Sequence, residues 1–302
     1  MKIITDTTEI RLERETAAAI GKFDGIHIGH RRLLEEILSR KSEGLAACVF
    51  TFDPPPAVLF GGADGKELTT KEEKRILFER MGVDILIEFP LNRRTAATPP
   101  ERFAREVLAG GMHARFLAAG TDLSFGAGGA GNAALLGLLG PELGFQVRTI
   151  EKVSLDGTEV SSTFVRTRVE SGHMEWAGRL LGMPYMIAGR VVGGKRLGRT
   201  LGFPTINILP PDTKLLPPNG VYSSRVCVKG KEYRAITNIG CKPTVTEEKK
   251  TGVESYLYDF EGDIYGEEAE VYLLKFHRPE RRFDSVDELQ RQVRQDIDAG
   301  KS

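Results

Sequence analysis

Between residues 16 and 150, short apolar runs alternate with stretches whose apolar residues recur every three or four positions, whereas from residue 186 onward the apolar runs carry strand-like spacing. That change of period restricts the fold more than any other feature. Runs at 17–20, 45–52, 83–89, 114–119 and 145–150 read as strands. Residues 31–40, 71–80, 100–108 and 132–139 read as helices, the third opened by Pro99 and Pro100. Strand–helix–strand spacing predicts an α/β fold with a Rossmann-like, doubly wound parallel sheet and helices on both faces.

Two short helical stretches follow, 161–170 and 174–181, the second stopped by Gly182 with Pro184 beyond it. A boundary belongs there, giving domains 1–182 and 183–302. Beyond it MIAGRVVG, FPTINIL, GVYSSRVCVKG, YRAITNIG, VESYLYDF and AEVYLLKF are separated by Gly, Pro and Asp turns. They predict a small six-stranded antiparallel β-barrel. Phe283, Val286, Leu289, Val293 and Ile297 are spaced for one C-terminal amphipathic helix over 283–297.

In the first domain GKFDGIHIGH, residues 21–30, joins a strand to a helix. Residues three apart share a helical face, so His27 and His30 project together near a helix N-terminus, where unpaired N–H groups and the dipole favour an anion. Gly21, Gly25 and Gly29 allow backbone and ligand to approach closely. The same histidines suit simple capping and packing equally well. A zincin would need His at i and i+4 around a Glu. Ligands of doubly wound sheets bind beyond the carboxyl ends of the strands, so TFDPPP after the second strand is expected to neighbour this turn.

Lys+Arg and Asp+Glu number 42 each, so no bulk field draws the chain to nucleic acid or to an anionic membrane, and anion binding must be local. Cys48, Cys227 and Cys241 are scattered and odd in number, which argues against a disulfide framework and fits a reducing cytoplasm. The opening MKIITDTTEIRLERE is too charged for a signal peptide, and no apolar run is long enough for a membrane span.

Two glycine motifs mislead. Gly126, Gly128 and Gly131 spell GxGxxG but come late in the sheet, without the first-strand context and downstream acid of a dinucleotide fingerprint, and read instead as a flexible, ligand-facing loop. Gly189, Gly194 and Lys195 approach a Walker A pattern, but Arg196 replaces its Ser or Thr and a β-like run follows. The turn GGKRLGRTLGFPT still offers Lys195, Arg196 and Arg199 to a polyphosphate, or to solvent alone.

GKFDGIHIGH, TFDPPP, GTDLSFG and VSSTFVR, followed by GRTLGFPTIN, LLPPNGVY, ITNIGCKPT, VESYLYDFEGDIYG and HRPERRFDSVDELQRQVRQDI, resemble in order and spacing the prokaryotic bifunctional riboflavin kinase/FMN adenylyltransferase (FAD synthetase) family. The likeness covers almost the whole chain. It implies that 1–182 is an adenylyltransferase domain of the HxGH nucleotidyltransferase type and 183–302 a riboflavin kinase domain. The kinase would move the γ-phosphoryl of ATP onto the 5′-hydroxyl of riboflavin, and the adenylyltransferase would join FMN to AMP, giving FAD and pyrophosphate. Riboflavin, FMN, FAD and ATP are the partners so implied, with Mg2+ as cofactor. Oligomeric state is left open.

By the same resemblance His27 and His30 are catalytic in adenylyl transfer, with Gly21, Phe23, Asp24 and Gly29 binding nucleotide and Asp122 at the flavin or adenylate pocket. Asp24 suits a helix cap equally well. Ser162, Thr163 and Arg166 would contact phosphates, while Ser-Ser-Thr before a helix also reads as an N-cap. In the kinase, Glu254 would be the base that orients the hydroxyl, Thr205 and Asn207 would present oxygens to the metal, and Lys195, Gly198 and Arg199 would hold ATP. Glu254 shares one strand face with Tyr256 and Tyr258, the pattern of an ordinary exposed carboxylate. Three positions depart from the usual pattern: Pro55 where a polar residue is common, Ser124 in place of an Arg, and Gly193 in place of a His. A rival of another class is a flavin-binding regulatory or carrier protein that kept the fold and lost turnover.

Overall fold

The computed structural model describes residues 1–60, 65–193, 203, 205–243 and 249–301, without the side chains of 57 and 241–250. It divides into two compact units. The first comprises Met1–Lys66 and Lys74–Ser161, the second Glu67–Glu73 and Ser162–Ser302.

The first unit is built on six parallel strands: β1 Lys2–Thr5, β2 Thr16–Ile20, β3 Ala46–Asp53, β4 Ile85–Pro90, β5 Ala114–Gly120 and β6 Gln146–Ile150, in the order β1-β4-β3-β2-β5-β6. Every residue of β2 is buried, as a strand covered on both faces requires. The expected sheet is present with one addition: β1 pairs in register with β4, Lys2 opposite Ile85, and forms an edge. Chain direction across the sheet reverses between β2 and β5, so the crevice at their carboxyl ends is the switch point. Connecting helices run Ile28–Ser39, Lys71–Arg80, Pro100–Phe103 continued as a π-helix to Gly111, and Ala133–Leu143. Phe50, Phe89, Phe103 and Phe125 knit one side of the sheet through tilted and edge-on ring contacts.

In the GxGxxG segment Phe125 and Gly131 exchange backbone hydrogen bonds of 3.0 and 2.9 Å, closing a turn whose tip at 128–130 is exposed. A Cβ on Gly126 would lie 2.8 Å from the Pro100 backbone, and one on Gly131 would lie 2.6 Å from the Phe125 ring. Packing accounts for both glycines. A two-residue hairpin, β7 Ser154–Leu155 and β8 Thr158–Glu159, ends this unit.

The second unit is the expected closed antiparallel barrel. Its strands are β9 Tyr185–Val192, β10 Thr205–Ile208, β11 Gly220–Val228, β12 Lys231–Pro243, β13 Lys249–Leu257 and β14 Glu268–Pro279, ordered β10-β13-β12-β11-β14-β9 and closed by β9 against β10. Helices Ser162–Glu170, Met174–Leu181 and Val286–Ala299 complete it. The last starts later than its apolar spacing suggests because Ser285 is its N-cap, accepting the Glu288 N–H at 3.2 Å.

The segment Glu67–Glu73 also belongs to this unit. Glu67 N–H donates to Thr213 O and Leu215 N–H to Glu67 O, while Lys214 Nζ donates to Glu73 Oε2 at 2.6 Å with both side chains 1% exposed.

Candidate active sites

The turn after β2 is shaped by left-handed backbone angles at Phe23, Gly25 and Ile26, with φ of 50°, 86° and 43°. Such an angle is strained for a β-branched residue and persists where packing over-determines it; Ile26 is fully enclosed. These reversals delay the helix to Ile28 and make His27 its N-cap. Asp24, three residues upstream, therefore does not cap this helix.

The His27 Nδ1 accepts the His30 backbone N–H at 3.3 Å. A neutral ring that accepts at Nδ1 carries its proton on Nε2, so His27 presents Nε2–H as a donor. The two imidazoles stack with centroids 3.8 Å apart and planes 17° apart. Gly29 permits this: a Cβ there would sit 3.1 Å from the His27 ring. Phe23 backs His30 at 5.2 Å and meets Phe78 edge-on at 5.5 Å, and Gly21 clears the Phe23 ring, from which a Cβ would be 3.2 Å.

Burial pulls the His27 imidazole down to about 4, against the opposing charge of Asp122. His30 is held well below its ordinary value, first by burial and then by His27 and Lys74. Burial therefore favours the neutral form of both rings. The His30 Nδ1 is buried with no hydrogen-bond partner among the described residues. Asp122, just beyond β5, acts electrostatically on His27, so the switch point gathers His27, His30 and Asp122.

Among the departures, Pro55 precedes a one-turn helix at Pro56–Leu59, and the Ser124 hydroxyl donates to Gly129 O at 3.4 Å. Ser162 and Thr163 lie in the first turn of Ser162–Glu170 and Arg166 one turn on, within the second unit.

In the barrel Glu254 on β13 stands opposite Asn207 of β10 on one side and Asn238 of β12 on the other, a row across three strands. The Thr205 hydroxyl donates to Glu254 Oε1 at 2.5 Å. Glu254, Thr205 and Tyr256 border a cavity of about 360 Å³ whose other lining includes Asn238, Arg278 and Asp296. Phe203, Val221 and Phe283 add apolar surface. Glu254 is thus a cavity residue. Tyr258 is instead covered by the C-terminal helix, its hydroxyl donating to Ile297 O at 2.5 Å.

Lys195, Gly198 and Arg199, with Gly194, Arg196 and Pro204, lie outside the described residues. A Cβ on Gly193 would meet nothing within 4 Å. Sequence reasoning missed Asn238, Arg278 and Asp296. Asn238 had a signal in ITNIG; the other two are ordinary surface residues until folding brings them to one cavity.

An HxGH turn at the switch point of a doubly wound sheet, joined on one chain to a barrel with a carboxylate-bearing cavity, defines a two-domain phosphate-group transferase. The family model described as FAD synthetase matches residues 9–164, and the one described as Riboflavin kinase matches 181–302. The bifunctional riboflavin kinase/FMN adenylyltransferase of Escherichia coli (strain K12) is 38% identical over 92% of this chain and 89% of its own. The enzyme of the same description from Listeria monocytogenes is 33% identical over 96% and 93%. The chain belongs to the bifunctional riboflavin kinase/FMN adenylyltransferase family.

A solved structure described as a macrolide-efflux protein from Streptococcus pneumoniae is 28% identical and covers 99% of this chain and 98% of its own, with a TM-score of 0.86. Among the described residues no helix is long and apolar enough to cross a membrane.

Proposed function

We propose that the chain makes FAD from riboflavin in two ATP-dependent steps, with the kinase in residues 183–302 and the adenylyltransferase in residues 1–182, in the cytoplasm. The observation that supports this reading is that each unit carries a distinct constellation: stacked imidazoles at a helix start in the first, a hydroxyl-bound carboxylate bordering a cavity in the second.

In adenylyl transfer the FMN phosphate is already a nucleophile, so the protein needs alignment and donors for the charge that develops on the α-phosphoryl and the leaving pyrophosphate. His27 supplies its Nε2–H, with the His30 imidazole stacked beside it. Asp122 faces the flavin or adenylate.

In phosphoryl transfer the nucleophile is an alcohol and needs a base. Glu254 accepts the proton of the riboflavin 5′-hydroxyl, while Thr205 fixes the orientation of its carboxylate. The Thr205 hydroxyl, the Asn207 amide and Glu254 form an all-oxygen set, and among the described residues there is no cluster of three His, Cys, Asp or Glu that would cage a metal. That set fits Mg2+ shared with phosphates, held by Thr205 and Asn207. Bound there, Mg2+ would neutralise charge on the phosphates of ATP.

The test is to incubate the purified protein with riboflavin, ATP and Mg2+ and resolve FMN and FAD over time. Sequential FMN and FAD are expected. No product above background refutes both assignments and leaves a flavin carrier; FMN without FAD refutes the adenylyl assignment alone.

A further inference from the structure

The cavity beside Glu254 has two unlike walls. One is the barrel, where each strand is hydrogen-bonded on both sides. The other is the helix Val286–Ala299, which offers Leu289 and Val293 to the cavity and has one buried residue, Ile297. Ile297, with the partly buried Val293, packs against Val221, Ile236 and Tyr258 of the barrel, a small apolar contact for a helix of this length. Directional polar bonds add to it. Arg278, at the end of β14, donates from Nε to Asp296 Oδ1 at 2.9 Å and from Nη2 to Asp296 Oδ2 at 2.5 Å. Gln292 donates to the same Oδ1 at 2.9 Å, and the Tyr258 hydroxyl holds Ile297 O. Arg278 and Asp296 both line the cavity and are only 24% and 11% exposed.

We propose that Arg278 and Asp296 are a positioning pair for the flavin ring: a two-pronged bond that fixes the separation of helix and barrel, and so the width of the slot between them. The proposal rests on the kinase reading above. A forked guanidinium–carboxylate pair constrains orientation as well as distance, which a single contact does not. Width matters because a flat ring is gripped through van der Waals contact on both faces, and a gap of about 0.5–1 Å forfeits a quarter to a half of that attraction. The base Glu254 stands on the barrel wall, so loosening the helix weakens ring binding more than it disturbs proton transfer.

The experiment measures steady-state riboflavin kinase kinetics of full-length Arg278→Met, Asp296→Asn and the double variant, with circular dichroism and thermal unfolding as the check that the barrel is folded. Riboflavin KM is expected to rise about tenfold in each single variant with a smaller change in kcat, and the double variant is expected to be no worse than either single one. Arg278→Lys, which keeps the charge without the fork, is expected to fall between wild type and Arg278→Met. A riboflavin KM within about twofold of wild type in both single variants, a loss carried by kcat, or effects that simply multiply in the double variant would overturn the proposal. Wild-type protein that makes no FMN sinks the kinase reading and the pair with it. Wild-type FMN formation with an unchanged KM in the variants sinks the pair alone.

Discussion

His27 and His30 in the first unit and Glu73 and Lys214 in the second are all taken out of water, and the two units meet that cost differently. The imidazoles discharge: burial favours their neutral forms and leaves N–H and lone-pair capacity unspent. The ion pair instead saturates itself with hydrogen bonds. Lys214 Nζ donates to Glu73 Oε2, Leu68 O and Met186 O at 2.6, 2.7 and 2.8 Å, and Glu73 also accepts the Thr70 and Ala188 N–H groups. Fully used groups hold a fold, whereas groups with capacity left over meet substrates. Glu254 is bound by Thr205 and borders a cavity.

The largest expected effect tests the site groups. Glu254→Ala should lower FMN formation by about 10²–10⁴-fold and leave FMN-to-FAD conversion intact, and His27→Ala should do the reverse. Product chromatography separates the two outcomes. Loss of both activities from either substitution in a folded protein would break the division into two sites.

The saturated pair is tested by stability. Glu73→Gln leaves the Lys214 charge buried without its counter-charge and should cost about 3–5 kcal/mol in denaturant unfolding. A cost under about 1 kcal/mol would show that the pair is not what holds Glu67–Glu73 in the second unit. Gly29→Ala is milder. Its methyl group meets the His27 ring at 3.1 Å, so the imidazole stack must shift, and FAD formation should fall about tenfold with FMN formation unchanged.

The smallest effect sharpens the discharged state itself. With a folded value of about 4 for His27 against 6.5 unfolded, the unfolded chain takes up the proton first as pH falls. The contribution of this residue to stability is therefore complete above 6.5 and is lost between 6.5 and about 4. A proton on Nδ1 would also end its acceptance of the His30 N–H. NMR titration of the His27 ring should place its midpoint near the lower value; a midpoint near 6.5 would remove the neutral-donor description.

Much of this was legible along the chain, and what escaped did so for physical reasons. β1 is four residues, KIIT, too short to display a period, and it is recognisable as a strand only by its pairing with β4. Thr70 and Glu73 sit at a helix start with capping-box spacing, yet nothing local reveals that Glu73 meets Lys214, 141 residues away. Asp24 and His27 are both plausible caps in sequence. The left-handed turn at Phe23, Gly25 and Ile26 decides for His27.

The order of apolar periods by itself determined a parallel doubly wound sheet followed by a closed barrel, because strand and helix spacing are properties of neighbours along the chain. The same local spacing placed His27, Gly29 and His30 at a helix start and Thr205, Asn207 and Glu254 on strands. Only the tertiary structure decided that burial presses the imidazoles toward their neutral forms, which nitrogen of His27 accepts the His30 N–H, that Arg278 and Asp296 meet beside one cavity, and that Glu67–Glu73 is counted with the barrel. Each of these depends on which atoms displace water from around a group, and those atoms come from parts of the chain that sequence order does not bring together.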